Sequence, residues 1–77
     1  GENIAYELDD EAINIHGESF TGQLAWTKVH KVTKTRNWLL IWQNSQQASP
    51  IPRRNVRDLD LPRLAGILNK NGVKHNL

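Results

Sequence analysis

The sequence has no cysteine and no methionine, and its aromatic residues are few: three Trp, one Tyr and one Phe in 77 positions. Without cysteine there is no disulfide scaffold, no thiolate metal site and no cysteine nucleophile. No run of about 18 apolar residues occurs, so no segment reads as a membrane-spanning helix. Three Pro and five Gly are scattered, and no glycine-rich phosphate loop precedes a helix. The missing methionine also bears on where the chain begins. Gly1 is a residue that protease cleavage often leaves, so the chain is expected to be a piece excised from a longer protein. Residues 1–77 themselves contain no signal-peptide pattern. What is there is ordinary for a globular domain, with 38% hydrophobic and 23% charged residues. The length bounds residues 1–77 to one small domain with a modest core.

Charge is unevenly placed. Residues 1–27 hold Glu2, Glu7, Asp9, Asp10, Glu11 and Glu18 and no Lys or Arg. Residues 28–77 hold all ten Lys and Arg against Asp58 and Asp60. A net charge of +2 thus conceals a segment of −6 followed by one of +8. Two readings follow. The halves pair across one sheet, acids opposite bases, or the basic part forms a face for phosphates or an acidic partner.

Alternation with period two predicts strands at Ile4–Leu8, Ile13–His16 and Phe20–Trp26, separated by the polar turns Asp9–Glu11 and Gly17–Glu18. Gly22 inside the third strand suggests a bulge or a close backbone approach. Trp26, Val29 and Val32 repeat every third residue, which suits one 3₁₀ turn. Strands are then expected at Val32–Thr35 and Trp38–Trp42. Pro50 and Pro52 confine Ser49–Pro52 to an edge strand. Leu61, Leu64, Ala65 and Leu68 form an apolar stripe at helical spacing. Asp60 caps that helix, Pro62 sits in its first turn, and Asn71-Gly72 ends it. Lys74–Leu77 reads as a fraying tail. The expectation is an α+β domain: an antiparallel sheet or partly open barrel of about six strands within residues 4–53, closed by a C-terminal helix at about 61–70.

A search for chemistry finds little. His16, His30 and His75 have no His or Cys partner at ligand spacing, and His16 with Glu18 makes only two ligands, so no metal site is expected. Ser19, Ser45 and Ser49 lack a nucleophile elbow. Asp9, Asp10 and Glu11 read as a solvated turn rather than an acid–base pair. No catalytic residue and no cofactor are expected.

Two features remain. Lys31, Lys34, Arg36, Arg53, Arg54 and Arg57 converge if their segments lie side by side. Arg53 and Arg54 are adjacent, so on an extended chain they point opposite ways and at most one joins a given face. The same charges also serve simply to guard a sheet edge. Trp38 and Trp42 share parity and point to one face. Tryptophans in so small a domain belong to the core, or, if exposed, stack bases or enter a membrane interface.

The run from Tyr6 to Ile15, the segment Leu24–Val32 with its Trp-x-x-Val-x-x-Val spacing, the apolar strand Trp38–Trp42, Ile51-Pro52-Arg53-Arg54 and the closing helix together resemble the C-terminal soluble domain of YcxB-like bacterial membrane proteins. The resemblance covers about residues 4–70, and Ala12 stands where the pattern more often has Gly in a left-handed turn. It implies a pleckstrin-homology-like sheet closed by a helix, a pair of transmembrane helices upstream, and a place on the cytoplasmic face of the inner membrane. It carries no catalytic residues. The function expected is a non-enzymatic interaction or regulatory module. Lys31, Lys34, Arg36, Arg53 and Arg54 are its candidate contacts to an acidic protein or to lipid headgroups. A nucleic-acid-binding module using the same bases with an exposed tryptophan is the second reading. A small enzyme or ligand binder is the third, because pockets are invisible in sequence.

Overall fold

A computed structural model describes residues 3–77. Gly1 and Glu2, on which the expectation of excision and one of the acids rest, lie outside the described residues. Three short strands come first: β1 (Ala5–Leu8), β2 (Ala12–His16) and β3 (Thr21–Ala25). They form an antiparallel sheet in the order β1-β2-β3. Leu8 pairs with Ile13, and Ile13 with Leu24, so the alternating apolar residues share one face. A 3₁₀ turn at Trp26–Lys28 then leads to β4 (Lys31–Lys34), β5 (Trp38–Trp42) and β6 (Ala48–Pro52). After a second 3₁₀ turn at Arg53–Asn55 come the helix α1 (Leu61–Lys70) and β7 (Lys74–His75). The second sheet has the order β6-β5-β4-β7. β4, β5 and β6 are antiparallel, and β7 runs parallel to β4.

One apolar core lies between the sheets and α1. Val32, Leu39, Ile41 and Ile51 enter it from the second sheet, Leu8 and Ile13 from the first, and Leu64, Ile67 and Leu68 from the helix. Ile67 was not in the expected stripe, and Ala65 is only half-buried. The helix ends are as expected. Asp60 accepts a hydrogen bond from the Arg63 N–H at 3.0 Å. At the other end Gly72 is left-handed (φ 71°). The Val73 N–H donates to the Leu68 carbonyl at 2.8 Å and the Gly72 N–H to Asn69 at 3.1 Å, the paired bonds of a Schellman end.

That end overturns the expected fraying tail and adds a seventh strand. The left-handed residue turns the chain back toward the sheet, Val73 is buried, and Lys74 and His75 pair with Lys31 and Val32. Asn76 then accepts a hydrogen bond from the Lys34 N–H at 2.8 Å. Other expectations also change. The sheets do not close into a barrel, and the strands separate into a three-stranded and a four-stranded sheet. The acidic and basic segments therefore do not pair across one sheet. The acids border the first sheet, while residues 28–57, which build β4 to β6, contain no Asp or Glu. Among the described residues one ion pair joins the two segments, Arg57 to Glu7 at 3.6 Å, with both side chains exposed. Gly22 sits in unbroken register opposite Ile15, with no bulge. A side chain there would meet Ile15 at ordinary contact distance, so no close approach demands glycine. Ala12 is a buried strand residue, not a left-handed turn residue.

The turn between β1 and β2 depends on Asp9. Its carboxylate accepts hydrogen bonds from the Glu11 and Ala12 N–H groups and from the Asn14 amide, each at 2.8 Å. The Asn14 amide first, and the two backbone amides after it, hold the Asp9 carboxyl below its ordinary value of 3.8. A carboxyl lowered in the folded state stabilises the fold fully above its unfolded value, and that contribution is lost as pH falls through the folded value. We expect the urea midpoint to fall as pH drops from about 4 to about 2, and Asp9→Asn to flatten that fall. Parallel pH profiles for the two proteins would contradict this role.

Candidate anionic-partner site on the second sheet

The turn from Thr35 to Asn37 joins β4 to β5, and the 3₁₀ turn Arg53–Asn55 follows β6. The pairing of Trp38 with Pro52 brings these two connections to the same end of the second sheet. The Arg53 N–H donates to the Asn37 carbonyl at 2.9 Å. A single guanidinium nitrogen of Arg53, Nη1, donates to the carbonyls of Thr35 (3.0 Å) and Arg36 (3.1 Å). Arg53 thus clamps the turn that presents Arg36. A recess of ≈ 370 Å³ lies there, lined by Asn37, Trp38, Pro52, Arg53 and Arg54. Arg36 and Arg54 are exposed, and Trp38 keeps 43% of its surface exposed.

The structure therefore brings Arg53 and Arg54 to one recess and ties Arg53 to the backbone of Arg36, whose exposed side chain lies outside the recess lining. The expectation that Arg53 and Arg54 point opposite ways is overturned, because the chain after Pro52 coils into a 3₁₀ turn and both arginines line one recess. Lys34 is half-buried at this end of β4, but it pairs with Leu39 and shares the parity of Val32, so it does not belong to the outer face that bears Trp38 and Trp42. Lys31 is separate, about 10 Å farther along β4. Its Nζ lies 4.6 Å from the centre of the Trp42 ring, a cation–π distance. Arg57 turns to Glu7 of the first sheet.

Of the three tryptophans only Trp26 is core. Trp38 and Trp42 share a face, as parity requires, and it is the outer one, because Leu39 and Ile41 take the inner face of β5. Lys74 was not foreseen in the basic set. Only its pairing with Lys31 through β7 places it on the second sheet, and no sequence period announces a two-residue strand. Elsewhere a mostly apolar recess of ≈ 370 Å³ opens between the sheets beside Tyr6, Ile15, Phe20, Leu24 and Ile51. Among the described residues no three His, Asp or Glu side chains gather in a metal-binding arrangement. No described helix is long and apolar enough to cross a membrane.

Arg53 supplies a local test. Methionine at this position keeps the stem and removes the donors. Arg53→Met is expected to cost about 1–2 kcal/mol by urea denaturation, whereas Arg54→Met should change stability by less than about 0.5 kcal/mol. Equal effects would contradict the clamp.

The family model of the YcxB-like proteins matches residues 8–67, from the last residue of β1 into α1. The chain belongs to the YcxB-like family. The matched stretch of this YcxB-like domain contains both arginine-bearing turns, Trp38 and Trp42, and stops before β7. No curated protein and no solved structure matches the chain.

Proposed function

We propose that this YcxB-like domain is a non-enzymatic interaction or regulatory module that binds an anionic partner at the arginine end of its second sheet. Arg36 and Arg54 make the contacts, Arg53 holds their frame, and Lys31 contributes from the far end, while Lys34 has the parity of the other face. The observation that carries this reading is the recess in which Arg53 and Arg54 flank Trp38, with Arg53 bonded to the backbone of the turn that bears Arg36, on a stretch of chain without acids from residue 28 to 57. Two small sheets with one C-terminal helix are consistent with the pleckstrin-homology-like frame that the family resemblance implies. In this reading the domain is the soluble part of a bacterial membrane protein and faces the cytoplasm. Tethering beside a bilayer makes each basic residue near an anionic surface worth about 1 kcal/mol.

A second reading, single-stranded nucleic acid binding, is favoured by one observation. Trp38, 43% exposed beside Arg54, offers a ring on which a base can stack. Titrating the domain with phosphatidylglycerol vesicles, oligothymidine and polyglutamate, at low and high salt, tests both readings. The first expects salt-sensitive binding of the vesicles. Tight binding of oligothymidine alone would favour the second, and binding to none of the three would end both.

A further inference from the structure

We propose that the outer face of the second sheet lies flat on an anionic bilayer, with Trp38, Leu40 and Trp42 entering the headgroup boundary and Lys31 and Lys74 reaching lipid phosphates. The inference rests on the anion-binding reading above and names its partner and its face.

The strand register sets the face out in rows. One row runs Lys74, Lys31, Trp42, Ala48, the next Thr33, Leu40, Pro50, and the last Trp38, Pro52. These residues alternate with Val32, Leu39, Ile41 and Ile51, which point into the core. Trp38, Pro50 and Lys74 are exposed, and Lys31, Leu40, Trp42 and Pro52 are half-buried. Trp38, Leu40 and Trp42 are neither in the core nor packed against it. An apolar strip of one exposed tryptophan, a half-buried leucine and a half-buried tryptophan, about 13 Å long on a fully extended strand, thus lies on the outer face.

Charge frames the strip with one sign. Lys31 and Lys74 stand at one end, and Arg36 and Arg54 beyond the other. None of its rows contains an acid. That pattern complements an anionic surface at both ends and an apolar boundary in the middle. Tryptophan favours that boundary, and lysine keeps its stem on apolar surface while its ammonium reaches for phosphate. In the free domain the Lys31 ammonium rests over the Trp42 ring, which places a cation directly beside the apolar strip. The Trp42 indole N–H donates to the Thr33 hydroxyl at 3.0 Å, so its ring can leave water without stranding a donor. A second copy is a poorer occupant. It would set the lysines and arginines of both faces against each other, and β6, one of the two edge strands, carries two prolines that cannot donate to another strand.

The experiment uses phosphatidylcholine vesicles with and without phosphatidylglycerol, some with bromine on the acyl chains. Trp emission should shift to the blue and be quenched by brominated chains with the anionic vesicles, and stay unchanged with the neutral ones. Lys31→Glu/Lys74→Glu should weaken binding about 30-fold or more. Trp38→Ser should weaken it about 10-fold or more. Circular dichroism confirms that the variants fold, and Trp38 is exposed enough for its replacement to be tolerated. Vesicle binding unaffected by Lys31→Glu/Lys74→Glu but abolished by Arg36→Glu/Arg54→Glu would overturn the flat orientation and leave the proposed function standing. Binding of polyglutamate or oligothymidine without vesicles would also overturn it. Binding to no anionic probe would overturn both.

Discussion

Trp26→Ala is expected to remove most of the stability of the domain. Trp26 has no exposed surface and is the largest of the fully buried side chains. Its backbone N–H donates to the Glu11 carbonyl at 2.9 Å, and its indole N–H to the Asp9 carbonyl at 2.8 Å. One residue thus joins the first 3₁₀ turn to the β1–β2 turn and fills the core between the sheets. Truncating a buried tryptophan to alanine costs about 3–5 kcal/mol. Small domains hold only about 0.05–0.15 kcal/mol per residue in total, so little would remain. Trp26→Phe keeps most of the volume but leaves the Asp9 carbonyl without its donor, for a smaller loss of about 1–3 kcal/mol. Urea denaturation followed by far-ultraviolet circular dichroism checks both variants. A Trp26→Ala midpoint close to that of the native chain would contradict this account of the core.

Arg36→Glu/Arg54→Glu is expected to weaken binding to phosphatidylglycerol vesicles by roughly 1,000-fold at low salt. Each basic residue lost near an anionic surface removes about 1 kcal/mol, and each acid introduced adds repulsion of similar size. Salt screens both terms, so the gap between variant and native chain should narrow as salt rises. Both side chains are exposed, and the turn hydrogen bond at Arg36 uses its backbone carbonyl. Stability should therefore change by less than about 0.5 kcal/mol. Arg53 is left intact because its guanidinium clamps the turn. Unchanged vesicle affinity in a folded variant would remove Arg36 and Arg54 from the site.

The elements were legible where local signals agreed. α1 carries its cap at Asp60, its stripe and its left-handed stop at Gly72 in one short stretch; the structure keeps the cap and the stop, and keeps the stripe at Leu64 and Leu68 with Ile67 in place of Ala65. β5 was legible from its length and parity, and β6 from its prolines. Pairing was not legible. The division into two sheets depends on which strand finds which neighbour, and alternation is the same in either arrangement. β7 is two residues long and forms because the helix end aims it at β4. In the candidate site, parity placed Trp38 and Trp42 on one face. Which face that is depends on Leu39 and Ile41 being the residues the core accepts. Arg53 and Arg54 were misjudged because the extended geometry imposed by Pro52 stops at Pro52 itself. The charge asymmetry was visible from the start, but its meaning comes from the fold. The acids from Glu7 to Glu18 border one sheet, β4 to β6 are built from a stretch with none, and among the described residues one exposed ion pair, Arg57 to Glu7, joins the two segments.

The central claim is that the basic stretch forms one binding face for an anionic surface. Mapping the amide resonances of the isotope-labelled domain as phosphatidylglycerol bilayer discs are added tests it most directly. The account predicts changes confined to residues 31–42, 48–54 and 74–75, growing as salt is lowered, with β1 to β3 undisturbed. Changes centred on the first sheet, or none at any salt concentration, would contradict it.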